Sequence, residues 1–147
     1  MTSAAPELII AETDADIDAC FPAWLALRPH LKREQFVAQI RRQQAQGFRI
    51  LALRDAGIIK SAAGYRLAEF TAWGRIAYID DLSTLPEYRL QGHGGRLLDW
   101  IAAYAKSQGC IAVHLDTGYA RHAAHRLYLD RGYLLSSHHM SLSLVGP

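Results

Sequence analysis

The run Arg89-Leu90-Gln91-Gly92-His93-Gly94-Gly95 places three glycines among four residues. It lies between a strand-like run, residues 75–85, and a helix-like run, residues 96–108. Glycine lets a backbone approach a ligand with no Cβ in the way. The helix that follows points its unpaired N–H groups back at the loop, and those groups plus the helix dipole make an anion site. The chemistry on offer is therefore the holding of a phosphorylated cofactor, and spacing separates the candidates. A nucleoside-triphosphate loop ends Gly-Lys-Ser/Thr. This loop ends Gly94-Gly95-Arg96-Leu97, with no lysine for the phosphates and no hydroxyl for magnesium. A dinucleotide fingerprint is closer, because Gly92 and Gly94 are correctly spaced and Asp116 ends the next strand-like run. Yet Leu97 holds its third glycine position, and residues 86–91 separate strand from glycine where the dinucleotide turn is tight.

The elements that position this loop are legible from pattern. Leu8-Ile9-Ile10 reads as a short buried strand. Thr13 or Asp14 caps a helix carrying Ile17, Phe21 and Trp24, which Pro22 kinks or splits and Pro29 ends. A second helix, residues 33–46, has Phe36, Val37 and Ile40 as its apolar stripe and Gly47 as its stop. Residues 48–54, 58–70 and 75–85 form a meander of three strands, turned at Asp55-Ala56-Gly57 and Trp73-Gly74. Gly64 marks a bulge in the second of them. After the glycine loop, Leu97, Leu98, Ile101 and Ala105 repeat at helical spacing up to Gly109. Residues 110–115 alternate as a buried strand. Strand, helix and strand then make one βαβ unit and a parallel pair. Residues 120–130 are a last helix stopped by Gly132, and residues 133–144 are expected to close the sheet as one or two short strands. The order describes one α/β domain over residues 1–147, with no repeat and no linker.

Bulk properties narrow the function. Half of the 147 residues are apolar, a fifth are charged, and the net charge is +2. So small a charge argues against nucleic acid or a membrane surface as partner. No run approaches the length of a bilayer span, and the first residues lack a signal-peptide core. Cys20 and Cys110 form no Cys-x-x-Cys pair and no disulfide framework, which points to the cytoplasm. His122 and His125 stand three apart, but nothing completes a metal site, so no metal is expected.

The loop resembles motif A of the GNAT superfamily of N-acetyltransferases, Gln/Arg-x-x-Gly-x-Gly/Ala, with Arg89, Gly92 and Gly94 matching in order. The order of elements over nearly the whole chain is also that of the family. The resemblance implies a mixed central sheet of about six to seven strands with helices on both faces, and a splayed parallel pair at the cofactor site. It implies acetyl-CoA as cosubstrate, its pyrophosphate on the amides of Arg89, Leu90, Gln91, Gly92, His93, Gly94 and Gly95. The pantetheine arm would pair with Leu82, Ser83 and Thr84, and the amide of Leu82 or Ser83 would face the developing oxyanion. A second stretch, residues 124–133, resembles the family's late motif, in which a tyrosine four residues after an alanine protonates the leaving thiolate. Here that is Tyr128. Seven residues earlier the family often has an asparagine, and this chain has Arg121.

Transfer to an amine needs the neutral amine. A lysine-like amine titrates near 10.4, so deprotonation at neutral pH costs roughly 4 kcal/mol. Histone-type members carry a glutamate where this chain has Tyr78. Asp80 is nominated as base, because two-residue spacing puts it on one face with Tyr78 and Leu82, with a water relay or Glu69 as the alternatives. Asp81 falls on the other face unless a bulge intervenes. By resemblance the first helices wall the acceptor site, and Trp24, Arg28, His30 and Tyr119 are candidates to line it. Arg28 suits a carboxylate and the two aspartates suit a cationic amine. The acceptor is thus a small amine, an amino-acid-like molecule or a protein amine. The protein is expected to be a monomer or homodimer. Neither cysteine is placed as a nucleophile, so transfer is expected to be direct. A second reading is a non-catalytic acyl-CoA-binding module, motivated by the absent glutamate and by Arg121.

Overall fold

The computed structural model describes residues 5–146. They fall into two compact units, the first running to Leu115 and the second from Asp116.

In the first unit, β1 (Glu7–Ile10), β2 (Arg49–Asp55), β3 (Ile58–Phe70), β4 (Gly74–Thr84) and β5 (Ala112–Leu115) form one sheet in sequence order. β1 to β4 pair antiparallel, and β5 lies parallel to β4. The helix α4 (His93–Ser107) makes the crossover between that parallel pair. Between β1 and β2 run α1 (Asp14–Ala19), α2 (Phe21–Leu27) and α3 (Arg33–Gln44).

Local chemistry explains each break. The Thr13 hydroxyl accepts from the Asp16 N–H at 3.1 Å, a cap worth about 1 kcal/mol. Pro22 splits the first helix as expected: it sits in the first turn of α2, where its missing N–H costs no bond. Pro29 forces Arg28 out of helical geometry, at φ −127° and ψ 79°. Ala56 and Gly57 both take positive φ, 51° and 76°, as a two-residue turn between right-twisted strands requires.

Alternation along the strands builds two core faces. On one, Ile17, Phe21, Trp24, Phe36 and Ile40 pack against Phe48, Ile50, Ala52, Ile59 and Ala62. On the other, Leu51, Leu53, Ala63 and Tyr65 are buried, as are Leu97, Leu98, Ile101 and Ala105 of α4. Tyr65 meets Trp100 and Tyr104 of α4 edge-on. Each large side chain so buried contributes about 1.5–3 kcal/mol.

The second unit holds α5 (His122–Asp130). Gly132, at φ 88°, stops it, and the Tyr133 N–H returns to the Tyr128 carbonyl at 3.1 Å.

The sheet has five strands among the described residues, not six to seven. Residues 133–144, expected to supply the difference, are irregular. They have strand-like alternation but no part in the sheet among the described residues, and Leu134, Leu135, Met140, Leu142 and Leu144 are exposed. A strand is held by its neighbour's backbone and not by alternation alone. No helix among the described residues is long and apolar enough to cross a membrane.

Candidate active site

The junction from β4 into α4 is built by short-range bonds. The buried Ser61 hydroxyl donates to the Ser83 carbonyl at 3.1 Å and shares a 2.8 Å bond with the Thr84 hydroxyl. Arg89 Nε donates to the Thr84 carbonyl at 3.2 Å, tying the loop to the strand that precedes it. A single 3-10 turn, Pro86–Tyr88, follows the strand. The Lys60 ammonium lies 4.4 Å from the centre of the Tyr88 ring and pairs with Asp55 at 2.7 Å.

Beyond Arg89 the chain takes positive φ twice, at Leu90 (63°) and Gly92 (81°). Leucine adopts that conformation at a cost of about 1–2 kcal/mol, and its side chain is fully exposed, so no packing repays it. Strain held without local compensation is a mark of function. Its effect here is on amides. Gly92 caps α4 with no side-chain bond, and the first backbone bond of the helix start runs from the Arg96 N–H to the Gly92 carbonyl at 3.1 Å. Among the described residues, no backbone carbonyl accepts from the amides of residues 91–95. These amides and the dipole of a 15-residue helix suit a pyrophosphate. His93 contributes backbone rather than charge: burial first, then Lys60, pulls its pKa down, and its Nε2 is buried without a partner. α4 begins at His93, earlier than residue 96, so Gly94 and Gly95 are helical.

The β4 edge offers a second feature. Pairing with β5 ends at Ile79↔Leu115, while β4 continues to Thr84. Leu82, Ser83 and Thr84 thus lie past the paired stretch, where an extended arm can add as a strand would.

The bulge lies between. Tyr65 pairs with Ile79 and Gly64 with Asp81, so Asp80 is an extra residue on β4. Gly64 is required there, because a Cβ would run into the Phe48 ring and come within 3.0 Å of Asp81 Oδ2. The extra residue changes which way the aspartates face. Asp80 takes Arg66 in a two-pronged pair at 3.1 and 2.7 Å, and the Arg66 guanidinium lies 5.5 Å from the centre of the same Phe48 ring. Both carboxylates therefore stand on the face covered by α1, α2 and α3. Two-residue spacing alone would put Leu82 on the face of Asp80 as well. Leu82 instead pairs with Ala63, whose neighbour Tyr65 is turned to α4.

Arg28 reaches the bulge from the end of α2. Its Nε and Nη2 donate to Asp81 Oδ1 at 3.1 and 3.0 Å, and Nη2 also donates to the Asp80 carbonyl at 3.1 Å. Burial nevertheless pushes the Asp81 carboxyl above the usual range, against the opposing pull of Arg28, with the Asp80 charge adding to the rise and the Trp24 indole opposing it. Trp24 is buried, its ring 5.8 Å from Phe36. The structure thus brings Trp24, Arg28, Asp80 and Asp81 together. Arg66, Gly64 and Phe48 complete the group. Gly64 was visible in sequence as a bulge marker, but nothing local announced Arg66 or Phe48.

Tyr119 and Tyr128 belong to the second unit. Tyr119 is exposed. Tyr128 is half-buried on α5, its ring 5.7 Å from Tyr133. Burial raises its pKa and Arg121 opposes the rise, so the phenol keeps its proton at neutral pH. In the first unit Cys20 is fully buried and pushed up to about 12, by burial first and then by Asp16. A thiol so held is no nucleophile.

β4 thus carries carboxylates for a cation at its middle, and the loop and helix start that follow it offer amides for an anion. That division suits an acyltransferase that brings a phosphorylated acyl carrier to an amine. Residues 11–133 match the acetyltransferase (GNAT) family, and the chain belongs to it. The uncharacterized N-acetyltransferase YhdJ of Bacillus subtilis (strain 168) is 28% identical over 120 residues, covering 80% of this chain and 84% of its own. The aminoalkylphosphonate N-acetyltransferase of Salmonella typhimurium (strain LT2) is 32% identical over 83 residues, 56% of this chain and 54% of its own. Aminoglycoside N-acetyltransferase AAC(6')-Iy, solved with coenzyme A, shares the fold at a TM-score of 0.81 and 12% identity, over 97% of this chain and 98% of its own. The protein is an acetyl-CoA-dependent N-acetyltransferase, and the non-catalytic reading is not favoured.

Proposed function

We propose that the acceptor is a small amine that enters beside α2 and meets the β4 bulge, where Asp81 takes its proton. Bound acetyl-CoA supplies an acetyl group activated as a thioester. The amides of residues 91–95 hold its pyrophosphate, and the β4 edge at Leu82, Ser83 and Thr84 aligns its arm. The Leu82 or Ser83 N–H donates to the thioester oxygen as charge develops there. By the family resemblance, Tyr128 of the second unit is the candidate to protonate the departing sulfur, and its phenol is protonated at neutral pH.

The observation that carries this reading is the bulge. It sets two carboxylates side by side on one face, and they differ in use. Asp80, nominated from spacing, has both oxygens on Arg66 and positions the bulge. Asp81 is the better base: a carboxyl raised by burial is closer to the amine in proton affinity. The relative named for aminoalkylphosphonate supports a small polar amine as acceptor.

Steady-state kinetics on an amine panel tests the assignment. Asp81→Asn should lower kcat/KM by about 10²–10⁴, the range of general base catalysis. The base works only when ionised. Because its pKa is raised, activity should fall on acidification at a pH above the ordinary carboxyl range, and the asparagine variant should lose that limb. Tyr128→Phe should lower kcat and leave the KM for acetyl-CoA unchanged. Wild-type rates in Asp81→Asn would remove Asp81 from the chemistry.

A further inference from the structure

Arg28 has no part in proton transfer, yet it occupies the place where the acceptor amine must go. It is held on Asp81 Oδ1 by Nε and Nη2. Among the described residues, nothing accepts from its Nη1. Its side chain is 44% exposed, whereas that of Asp81 is 12% exposed. The guanidinium is therefore the outer member of the pair and the carboxylate the inner one. Asp80 already has Arg66 as counter-ion, so the bulge holds two cations on two carboxylates.

This balance discriminates between amines. A simple alkylammonium that takes Asp81 Oδ1 crowds or expels Arg28, and its arrival sets three cations on two carboxylates. A zwitterion inserts with no change of net charge. Its ammonium replaces the guanidinium on Asp81, and its anionic group takes the freed guanidinium, whose fork matches a carboxylate or phosphonate. The exchange never leaves the largely buried Asp81 carboxylate without a cation, which is the costly outcome for such a pair.

We propose that Arg28 is a specificity-determining residue: it admits amines that carry a carboxylate or phosphonate a few bonds from the nitrogen and turns away amines that lack one. The proposal rests on the reading that Asp81 receives the acceptor amine, and it narrows the acceptor to a zwitterion of the amino-acid or aminoalkylphosphonate kind.

Calorimetric titration of the coenzyme A-loaded protein tests it with matched probes, β-alanine against propylamine and aminomethylphosphonate against ethylamine. Wild type should bind the anionic member of each pair at least tenfold more tightly. Arg28→Ala and Arg28→Gln should bring each ratio close to one, and Arg28→Lys should keep the preference in the same direction. An unchanged Tm and unchanged acetyl-CoA affinity in the variants separate lost selection from lost folding. Equal affinities within each pair in wild type, an unchanged ratio in Arg28→Ala, or no binding of any probe would overturn the proposal. Release of free thiol from acetyl-CoA with the same probes reads transfer separately. Selection without thiol release would uphold Arg28 and strike the catalytic assignment instead.

Discussion

The end of β4 and its middle are built by opposite means. At the end, residues next to one another in sequence do the work. Strand, 3-10 turn, two positive-φ positions and a helix start present backbone N–H groups that every substitution but proline leaves in place. In the middle, the working groups are side chains gathered from α2 and its end, the approach to β2, β3 and β4, and each depends on a partner far off in the chain. The contrast follows the ligands. A pyrophosphate is the same in every turnover, and backbone amides recognise it by charge and geometry alone. An acceptor differs from one enzyme to another, and side chains can be exchanged around the bulge without disturbing the amides.

The sharpest way to break that contrast is Gly94→Glu. The added charge stands in the first turn of α4, where a carboxylate favours the helix by about 0.3–1 kcal/mol. The fold should hold while acetyl-CoA binding falls at least about a hundredfold, as two like charges forced together in a shielded site would cause. Retained binding by calorimetry would refute the loop assignment. Gly64→Ala should act on the middle alone. Its Cβ collides with Phe48, at a cost of about 1–3 kcal/mol. Denaturant unfolding should report the loss, and kcat/KM for the acceptor should fall while acetyl-CoA affinity holds. The smallest effect belongs to Leu90→Gly. Relief of about 1–2 kcal/mol of backbone strain is offset by about 0.5–1 kcal/mol of added chain entropy, so Tm should rise slightly. A clear fall in Tm would mean that the exposed leucine is held for its side chain.

The same contrast decided what the sequence could reveal. Gly92 and Gly94 were legible because their partners are their neighbours. The pull of Arg28 toward an anion and of the aspartates toward a cation was also legible, as chemistry without geometry. The face of Asp81 was not, because it turns on the Gly64 register slip of another strand. Arg66 lies 14 residues from Asp80 and has no motif around it. Trp24, a candidate to line the acceptor site, is a buried ring beside Asp81, a placement that sequence pattern does not give. The alternation of Met140, Leu142 and Leu144 misled for the same physical reason: a pattern states which side a residue would face and supplies no strand to pair with.

An ordinary strand presents one side chain to a given face about every 7 Å. The extra residue at Asp80 suspends that spacing once, so two consecutive carboxylates share a face while the ladder on either side keeps its pairing. The sheet thereby gains a local density of negative charge that no choice of residues on a regular strand could provide. Because the insertion adds a position without displacing one, it can be varied as a tuning element. Changing the residue at 80 alters the charge at the bulge and releases Arg66, which Asp80 holds by both oxygens.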